Sequence, residues 1–285
     1  MPQPTISQVH VNQPLTNFSL AVWQSAGYAW TSTQPVRLAH RSDVYYTYDQ
    51  DYWFRQGQAL RRAPGTESVG SGYEIATATV TTERYSIHKD IPDPIRRNAD
   101  AALNLDREAT EFTAMQINIE MERLWAAGLF VTGVWNASTT PGTLWDVATS
   151  DPIGEMEARA LVMQENTGRR PNTGYFGAQT YSDGLKNHPD LLDRIKYTQR
   201  GIVTADLIAA CLDLDRVIVC QATRNTAVES ATRTMDFIAG QDDALLAYVS
   251  PTVGLITPTA FQTFVWPEAG TANGFGVATK KYRLP

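Results

Sequence analysis

The chain has 285 residues, 43% of them hydrophobic and 19% charged, and a formal net charge of −6 at pH 7. This composition is typical of a globular protein with a sizeable core, and an acidic chain without a dense basic patch is a poor match to a nucleic-acid-binding groove. No run of about 18 apolar residues predicts a transmembrane helix, and the first residues do not have the pattern of a signal peptide.

Residues 1–40 are interpreted as an extended arm. Prolines recur in this stretch and no clear periodicity is present, yet aromatic residues such as Trp23 and Trp30 are more frequent than in disordered segments. We therefore expect the arm to dock its aromatic side chains on another surface.

Residues 41–92 predict a long two-stranded ribbon. Aromatic residues that favour strands fill the outgoing half, including Tyr52, Trp53 and Phe54, and threonines are frequent in the returning half. Residues typical of turns lie between the halves. Because an isolated two-stranded hairpin is marginally stable in water, the ribbon needs a surface, which is either its own domain or another copy of the chain.

Residues 105–127 predict a helix about 35 Å long with apolar residues on two faces. Asn104 is placed to cap the first turn, and Gly128 is expected to end the helix. Both apolar faces must be covered. The helix is therefore either a central core helix or a spine that also faces neighbouring subunits.

The rest of the chain mixes short helices and strands. Two short strands are expected around the turn at 140–142, followed by a helix that Asp151 caps and Gly168 ends. Further helices are predicted at 178–186, at 189–195 and after Thr204, and strands at 173–176, 216–222, 243–251, 259–266 and 274–285. The strand at 216–222 is expected to be buried, because its run of consecutive apolar residues would be unusual on a solvated face. Helices and strands do not alternate regularly, which indicates an α+β fold rather than a doubly wound parallel sheet.

No catalytic, cofactor-binding or metal-binding residues are predicted. Cys211 and Cys220 lie in apolar runs and are interpreted as small core residues. Asp213 and Asp215 are interpreted as a polar connection between a helix and a strand. The histidines are far apart in the sequence, without ligand partners at suitable spacing, and each is interpreted as a solvated or ribbon residue: His10, His40, His88 and His188.

Large apolar projections without a site for chemistry point to assembly. Contacts between different surfaces of identical subunits close into rings or continue into lattices, and each needs only a standard interface of about 1,600 Å². The arginine pair at 61–62 lies in a turn, where a solvated pair and an inter-subunit ion pair are both reasonable. The candidate inter-subunit contact residues are Tyr52, Trp53, Phe54, Arg61, Arg62, Trp23 and Trp30.

Two stretches of the chain resemble the major capsid proteins of tailed bacteriophages, which have the Hong Kong 97-type fold. Residues 91–130, IPDPIRRNADAALNLDREATEFTAMQINIEMERLWAAGLF, are similar to the family's passage from an extended loop to a spine helix. Residues 169–199 carry the second likeness, in the motifs Arg170-Pro171-Asn172-Thr173 and Asn187-His188-Pro189-Asp190.

The resemblance implies a division of the chain into four parts. Residues 1–40 would be an N-terminal arm and residues 41–92 an extended β-hairpin loop, the E-loop of the family. A peripheral domain with the spine helix would comprise 93–177 and 259–285. Residues 178–258 would be an axial domain with a mixed sheet and flanking helices, whose tips meet around five-fold and six-fold axes.

The resemblance also implies a function. The chain would be a structural protein without enzymatic activity or cofactor, forming pentamers and hexamers of an icosahedral shell around packaged double-stranded DNA. Its partners would be copies of itself, a scaffolding protein, a portal and a decoration protein, with no membrane contact and no sequence-specific DNA binding. It would reside in the virion and, during assembly, in the host cytoplasm.

Three departures from the family pattern modify these expectations. Residues 1–40 are too short and too aromatic for a cleaved scaffolding segment, so a separate scaffold is expected. The loop tip at 56–72 contains no lysine, and Lys89 lies at the loop base, so covalent cross-linking is not expected. Relatives usually continue beyond the last segment with one more strand, which leaves closure of the peripheral sheet open.

Two alternatives to a phage shell are kept. The first is an encapsulin-like nanocompartment shell, which would have the same fold and an interior groove for protein cargo. The second is an uncharacterised α+β enzyme, which would require a buried polar constellation in a pocket.

Overall fold

The structure is a computed structural model, and it describes residues 27–99, 104–135, 137–195, 203–252, 254 and 257–267. The helices are α1 (Gln50–Trp53), α2 (Asp93–Asn98), α3 (Leu105–Leu129), α4 (Pro152–Thr167), α5 (Pro189–Ile195) and α6 (Ala205–Cys211), with a 3₁₀ turn at Ala29–Ser32 and a π-helical segment at Thr180–Lys186. The strands are β1 (Val36–Arg37), β2 (Ser42–Tyr48), β3 (Ile75–Thr81), β4 (Thr173–Gly177), β5 (Arg216–Cys220), β6 (Thr223–Asn225), β7 (Met235–Phe237), β8 (Ala244–Ala247) and β9 (Phe264–Val265).

The central sheet has three strands in the order β5-β4-β8. β4 pairs parallel with β5 and antiparallel with β8. The strands β6 and β7 form a short antiparallel hairpin, and β1 pairs parallel with β9. Mixed strand directions, together with helices that do not alternate with the strands, confirm the predicted α+β class.

β4 lies between two hydrophobic clusters. Successive side chains of a strand point to opposite faces of the sheet, and all five residues of β4 are buried. Phe176 packs with Ile153 and Ile208, from α4 and α6. Tyr175 faces the other way and packs with Ala126 of α3 and with Val249. One short strand therefore joins both halves of the core.

The helix α3 begins where the sequence predicts, and the Asn104 side chain caps it by accepting a hydrogen bond from the Arg107 N–H at 3.1 Å. It ends at Leu129, two residues later than expected, and Gly128 lies within it. A glycine costs only about 1 kcal/mol inside a helix, which one more turn of backbone hydrogen bonds, such as Phe130 N–H to Ala126 O, offsets. Most apolar side chains of α3 are only half-buried by the chain itself.

The short helices follow their predicted caps. Asp151 accepts a hydrogen bond from the Gly154 N–H at 2.8 Å at the start of α4, and Gly168 ends that helix in the left-handed conformation with φ of 70°. Thr204 caps α6 through the N–H of Leu207. The helices predicted at 178–186 and 189–195 are present, the first largely as π-helix.

Three expectations about local structure and burial are wrong. Residues 137–149 form turns without a strand, and the Trp145 indole instead donates to Glu155 of α4 at 2.8 Å. Cys211 is exposed at the last position of α6, although Ile208, three residues earlier, is fully buried. β5 is half-buried rather than buried along its length, since it is an edge strand of the sheet.

The motif that begins with Arg170 is a structural clamp on the central sheet. The Asn172 amide accepts from the Val249 N–H and donates to the Val249 carbonyl, both at 2.8 Å. Arg170 donates to both carboxylate oxygens of Glu157, at 2.8 and 2.9 Å. The side chains thus extend the hydrogen bonding of β4 toward the chain that follows β8 and toward α4.

We expect Asn172→Ala to lower the free energy of unfolding by about 1–3 kcal/mol, because it leaves the Val249 N–H and carbonyl without their partner. Chemical denaturation followed by circular dichroism measures the change. Asn187→Ala, at an exposed asparagine of the second motif, is the control and should change stability by less than about 0.5 kcal/mol. Equal stability of the Asn172→Ala variant and the parent would contradict the clamp.

Candidate functional site

The hairpin of β2 and β3 presents apolar side chains on both of its faces. Its register runs from Ser42 opposite Thr81 to Tyr48 opposite Ile75. Neighbouring strand residues point to opposite faces, yet Tyr45 and Tyr46 are 41% and 55% exposed. More than half of the exposed large hydrophobic side chains among the described residues lie between residues 44 and 85.

The tip of the hairpin is held together by aromatic contacts. Asp49 caps α1 by accepting from the Asp51 N–H at 3.0 Å. Trp53 then packs edge-on against Tyr48, with ring centroids 6.1 Å apart, and at a tilt against Tyr73, at 5.2 Å. These rings connect the two sides of the loop. Trp53 is nevertheless 52% exposed.

Two of the predicted contact residues, Tyr52 and Phe54, flank Trp53 in the same turn of chain. The Tyr52 hydroxyl donates to Glu74 at 3.3 Å, and the Arg55 guanidinium lies 5.3 Å from the Tyr52 ring. Phe54 is 66% exposed. The structure therefore places all three predicted aromatic residues together at one end of the hairpin.

The hairpin also touches its own chain, at two points. The Tyr45 ring lies 5.6 Å from Phe264 of β9. The Phe54 ring covers Gly168 so closely that a Cβ there would come within 3.1 Å of it. The sequence left open whether the ribbon rests on its own domain or on another copy. These contacts anchor it at two places and leave most of its apolar surface uncovered.

Arg61 and Arg62 lie in the exposed loop beyond α1. Arg62 donates to the Thr66 carbonyl at 2.8 Å, and neither arginine forms an ion pair with another described residue. Between this loop and the strands is an open cleft of about 600 Å³, lined by Tyr52, Leu60 and Val69 among others. Its lining brings together no cluster of catalytic groups.

Of the two tryptophans predicted as contact residues of the arm, Trp23 and Trp30, only Trp30 is among the described residues. Trp23 lies outside the described residues. Trp30 is half-buried on its own chain, in the 3₁₀ turn at Ala29–Ser32. Its backbone N–H donates a hydrogen bond to the Glu122 carboxylate of α3 at 3.0 Å. The described part of the predicted arm is therefore bound to the body of the same subunit.

Glu122 is a residue that sequence reasoning missed. It lies in α3 between Glu120 and Arg123, which form an ion pair at 2.7 Å, and nothing in the sequence pattern distinguishes Glu122 from Glu120. Its side chain is nonetheless fully buried and accepts from the N–H groups of Ala29 and Trp30. Burial raises the pKa of the Glu122 carboxyl, and the two hydrogen bonds partly oppose that rise.

His188 is buried, contrary to the expectation of a solvated residue. Its Nε2 lies 3.1 Å from the Ser150 hydroxyl and 3.3 Å from the Val147 carbonyl, and its Nδ1 accepts from the Asp190 N–H at 3.2 Å. A carbonyl only accepts hydrogen bonds, so Nε2 carries the proton and donates. A histidine in this tautomer does not act as a general base toward Ser150, so the pair braces the start of α5 rather than forming a nucleophile site.

The described residues offer neither a metal site nor a membrane span. Within them, no group of three or more acidic, histidine or cysteine side chains is placed to bind a metal ion. Across the same residues, no helix is long and apolar enough to span a membrane. The buried Cys220 thiol has its pKa raised to about 12, by burial first and by nearby Glu122 second, so it is no reactive thiolate at neutral pH.

The fold is shared with a phage-related protein. The crystal structure of that protein, from Bordetella bronchiseptica RB50, matches with a TM-score of 0.58 and 20% identity, over 84% of this chain and 78% of the other. A chain from Mycobacterium phage Bobi is a weaker match, with a TM-score of 0.45 and 14% identity over 71% of each chain.

A match in sequence to a curated protein identifies a protein class, which the structural match does not. The major capsid protein of Burkholderia phage BcepMu is 30% identical over 139 residues, which are 47% of this chain and 44% of that protein. The match thus spans less than half the length of the relative. No protein-family profile matches the chain. The resemblance to phage major capsid proteins that the sequence motifs carry is confirmed by this relative.

We expect Trp53→Ala to loosen the hairpin tip without unfolding the protein. The substitution removes two aromatic pairs that contribute about 0.5–1.5 kcal/mol each, about 1–3 kcal/mol together, so trypsin should cleave after Arg61 and Arg62 about 5- to 150-fold faster, while the melting temperature stays within about 2 °C. Val44→Ala, at an exposed strand position of the same hairpin, is the control and should leave the cleavage rate unchanged. Unaltered cleavage of Trp53→Ala would show that the rings do not hold the tip.

Proposed function

We propose that this chain is a major capsid subunit of a tailed phage, with the Hong Kong 97-type fold, which assembles into the pentamers and hexamers of an icosahedral shell around double-stranded DNA. The observation that carries the proposal is the hairpin of β2 and β3. It exposes apolar side chains on both faces, while two aromatic contacts, of Tyr45 with Phe264 and of Phe54 with Gly168, hold it against other described parts of its own subunit.

The energetics favour a neighbouring copy as the cover. Burial of apolar surface contributes about 25 cal/mol per Å², and a standard interface takes about 800 Å² from each partner. Exposed patches of several hundred Å² are uncommon on monomeric proteins and typically mark interaction sites. The cluster formed by Tyr52, Trp53 and Phe54 suits the centre of such an interface, where buried aromatic residues provide most of the binding energy.

The long helix supports the same proposal. Its side chains Phe112, Met115, Ile117, Met121 and Leu124 are only half-buried within one subunit. A core helix with two apolar faces would be covered on both sides, whereas a spine helix would complete its cover with residues from adjacent subunits. Of the two interpretations left open by the sequence, the proposal takes the second.

The domain division is part of the proposal. The arm is 1–40, the extended loop 41–92, the peripheral domain 93–177 and 259–285, and the axial domain 178–258. β4, at the end of the first peripheral segment, pairs with β5 and β8 of the axial segment, so the central sheet spans the boundary at residue 177.

The partners are inferred from the same function. Copies of the chain would bind one another, with a separate scaffolding protein, a portal and a decoration protein as further partners. The net charge of −6 suits a shell that encloses DNA without binding it tightly, because negative charges do not attract the DNA phosphates. The assembled chain would be located in the virion, after assembly in the host cytoplasm, without a membrane step.

Covalent cross-linking is not part of the proposal. The loop at 56–72 contains no lysine. The ammonium of Lys89, at the loop base, lies 5.3 Å from the Phe112 ring of α3. Lys89 is the one lysine in the sequence of residues 41–92, and this cation–π contact holds it against its own subunit.

Two other functions are weaker. A nanocompartment shell would share the fold, and protein cargo in place of DNA inside purified particles would favour it. An α+β enzyme would need buried polar groups that converge on a cavity. The buried groups that are described, Glu122 and His188, bond mainly to backbone atoms instead.

Assembly gives the direct test. We expect the parent chain to form capsomers or shells on electron micrographs and in sedimentation velocity, and Trp53→Glu to remain a folded, unassembled subunit because it buries a charge in the interface. Trp53→Phe, which keeps an aromatic ring at the same position, is the matched control and should assemble. Normal assembly of Trp53→Glu would refute a contact centred on the hairpin tip.

The arginine pair gives a second test. If Arg61 and Arg62 pair with acids of a neighbour, changing both to glutamine should raise the protein concentration needed for assembly several-fold at low salt and reduce its salt dependence. Changing both to lysine keeps the charge and should restore most of the salt dependence. A double glutamine variant that assembles with an unchanged salt dependence would leave the pair as solvated charges.

A further inference from the structure

The turn at residues 144–147, which precedes α4, exposes two apolar side chains and one acid. Leu144 is 60% exposed and Val147 is 43% exposed, and Asp146 between them is exposed as well. Trp145 points the other way and packs against the hydrophobic cluster on the α4 side of the central sheet. Since the packed ring fixes the position of its neighbours, these residues form a defined surface, which we call the acidic turn.

Hydrogen bonds hold the acidic turn on the body of the subunit. The Trp145 indole donates to Glu155 of α4 at 2.8 Å. The Val147 carbonyl accepts from the Ser150 N–H at 2.9 Å and lies 3.3 Å from Nε2 of the buried His188. A surface whose shape is set before binding loses little conformational entropy when a partner docks on it. The acidic turn is therefore preformed for a contact.

The chain around the acidic turn carries charge of one sign. Residues 124–158 contain four carboxylates and no lysine, arginine or histidine. Asp151, Glu155 and Glu157 each accept a hydrogen bond within the subunit. Asp146 forms neither a hydrogen bond nor an ion pair with another described residue. Asp146 is thus the acid of this stretch that remains available to a cation from outside the subunit.

The loop beyond α1, residues 54–72, has the opposite charge. It contains three arginines and one glutamate. Phe54 and Leu60 of this loop are 66% and 64% exposed, and Arg61 follows Leu60 directly. The loop and the acidic turn therefore both present exposed apolar side chains beside exposed charge, and the two charges are opposite. Such complementarity steers association and selects the partner.

Within one subunit, α4 lies between the loop and the acidic turn. Phe54 covers Gly168, which ends α4, whereas the acidic turn precedes Asp151 at the start of the same helix. The 16 residues of α4, at about 1.5 Å each, separate the two ends by about 24 Å. The arginine pair of the loop, at 61–62, forms no ion pair with a described acid of its own subunit. The acidic turn is therefore left open to the loop of a second copy.

We propose that the acidic turn is the docking surface for the loop beyond α1 of a neighbouring copy of this chain. Leu144 and Val147 pack against the apolar side chains of that loop, and Asp146 pairs with Arg61 or Arg62. Each subunit then binds one neighbour through its loop and another through its turn. Such a contact joins two different surfaces and repeats into a ring or a lattice. The inference rests on the proposed shell function and adds to it the surface that the hairpin binds.

Charge reversal on the full-length chain tests this contact. Asp146→Arg places like charges in the contact, and so does changing both Arg61 and Arg62 to aspartate. We expect each variant to raise the protein concentration needed for assembly at low salt by about tenfold or more, because like charges oppose association. All three changes together restore opposite charges and should return that concentration to within about threefold of the parent. Sedimentation velocity and electron micrographs measure assembly.

Glu165→Arg is the matched control, because Glu165 is an exposed acid near the other end of α4. Added to the aspartate variant of the arginine pair, it should not restore assembly. The altered residues are all exposed, so the variants should fold, which circular dichroism checks. Asp146→Asn, which keeps the shape and removes the charge, should raise the required concentration several-fold and replaces Asp146→Arg if that variant does not fold.

The outcomes separate this contact from the proposed function. Rescue by Asp146→Arg and not by Glu165→Arg would support the acidic turn. A parent that assembles, with no effect of Asp146→Arg or with rescue absent or equal for both acids, would overturn the contact and leave the shell function standing. A parent that stays monomeric at every salt concentration would refute the shell function and the contact together.

Discussion

The short strand β4 is buried along its whole length, and the body of the subunit depends on that burial. Its two largest side chains, Tyr175 and Phe176, point to opposite faces of the sheet and each is the centre of a separate cluster. A strand of five residues thereby links α4 and α6 on one side to α3 on the other. Hydrogen bonds add to this packing: the Asn172 amide donates to the Val249 carbonyl, and the Tyr175 hydroxyl is hydrogen-bonded to the Ser32 hydroxyl.

The hairpin of β2 and β3 has the opposite character. Among the described residues it has no layer above or below it comparable to those around β4, and its aromatic residues contact mainly one another. Since hydrophobic burial is the dominant favourable term in folding and association, exposed apolar side chains such as those of this hairpin favour contact with a further surface. The apolar side chains around β4 are buried, whereas many of those on the hairpin are exposed. This contrast is the physical basis for proposing a shell subunit, and the resemblance to phage major capsid proteins agrees with it.

The buried and half-buried polar side chains among the described residues hold separate segments of the chain together. His188 bonds to backbone atoms and one hydroxyl in a tautomer that does not activate it, and Arg170 and Asn172 complete a clamp. Glu122 stands apart from these because its burial depends on a segment 93 positions earlier in the chain. It joins the helix that would face neighbouring subunits to the segment that would form the arm.

The sequence by itself determined the features whose partners lie within a few residues. The caps at Asn104, Asp151, Gly168 and Thr204 fall where predicted, because each cap bonds to its own first or last turn. The hairpin was predictable for the same reason, since its strands are joined by one loop. The α+β class followed from the order of such local elements.

Only the tertiary structure decided which side chains are buried and what they bind. The sequence pattern does not distinguish Glu122 from Glu120 or Cys211 from Cys220, yet one of each pair is buried and the other is not. Their fates depend on segments far away in the chain, namely the 3₁₀ turn at Ala29–Ser32 and the central sheet. Periodicity describes the faces of one element, whereas burial requires a second element whose position no local pattern contains.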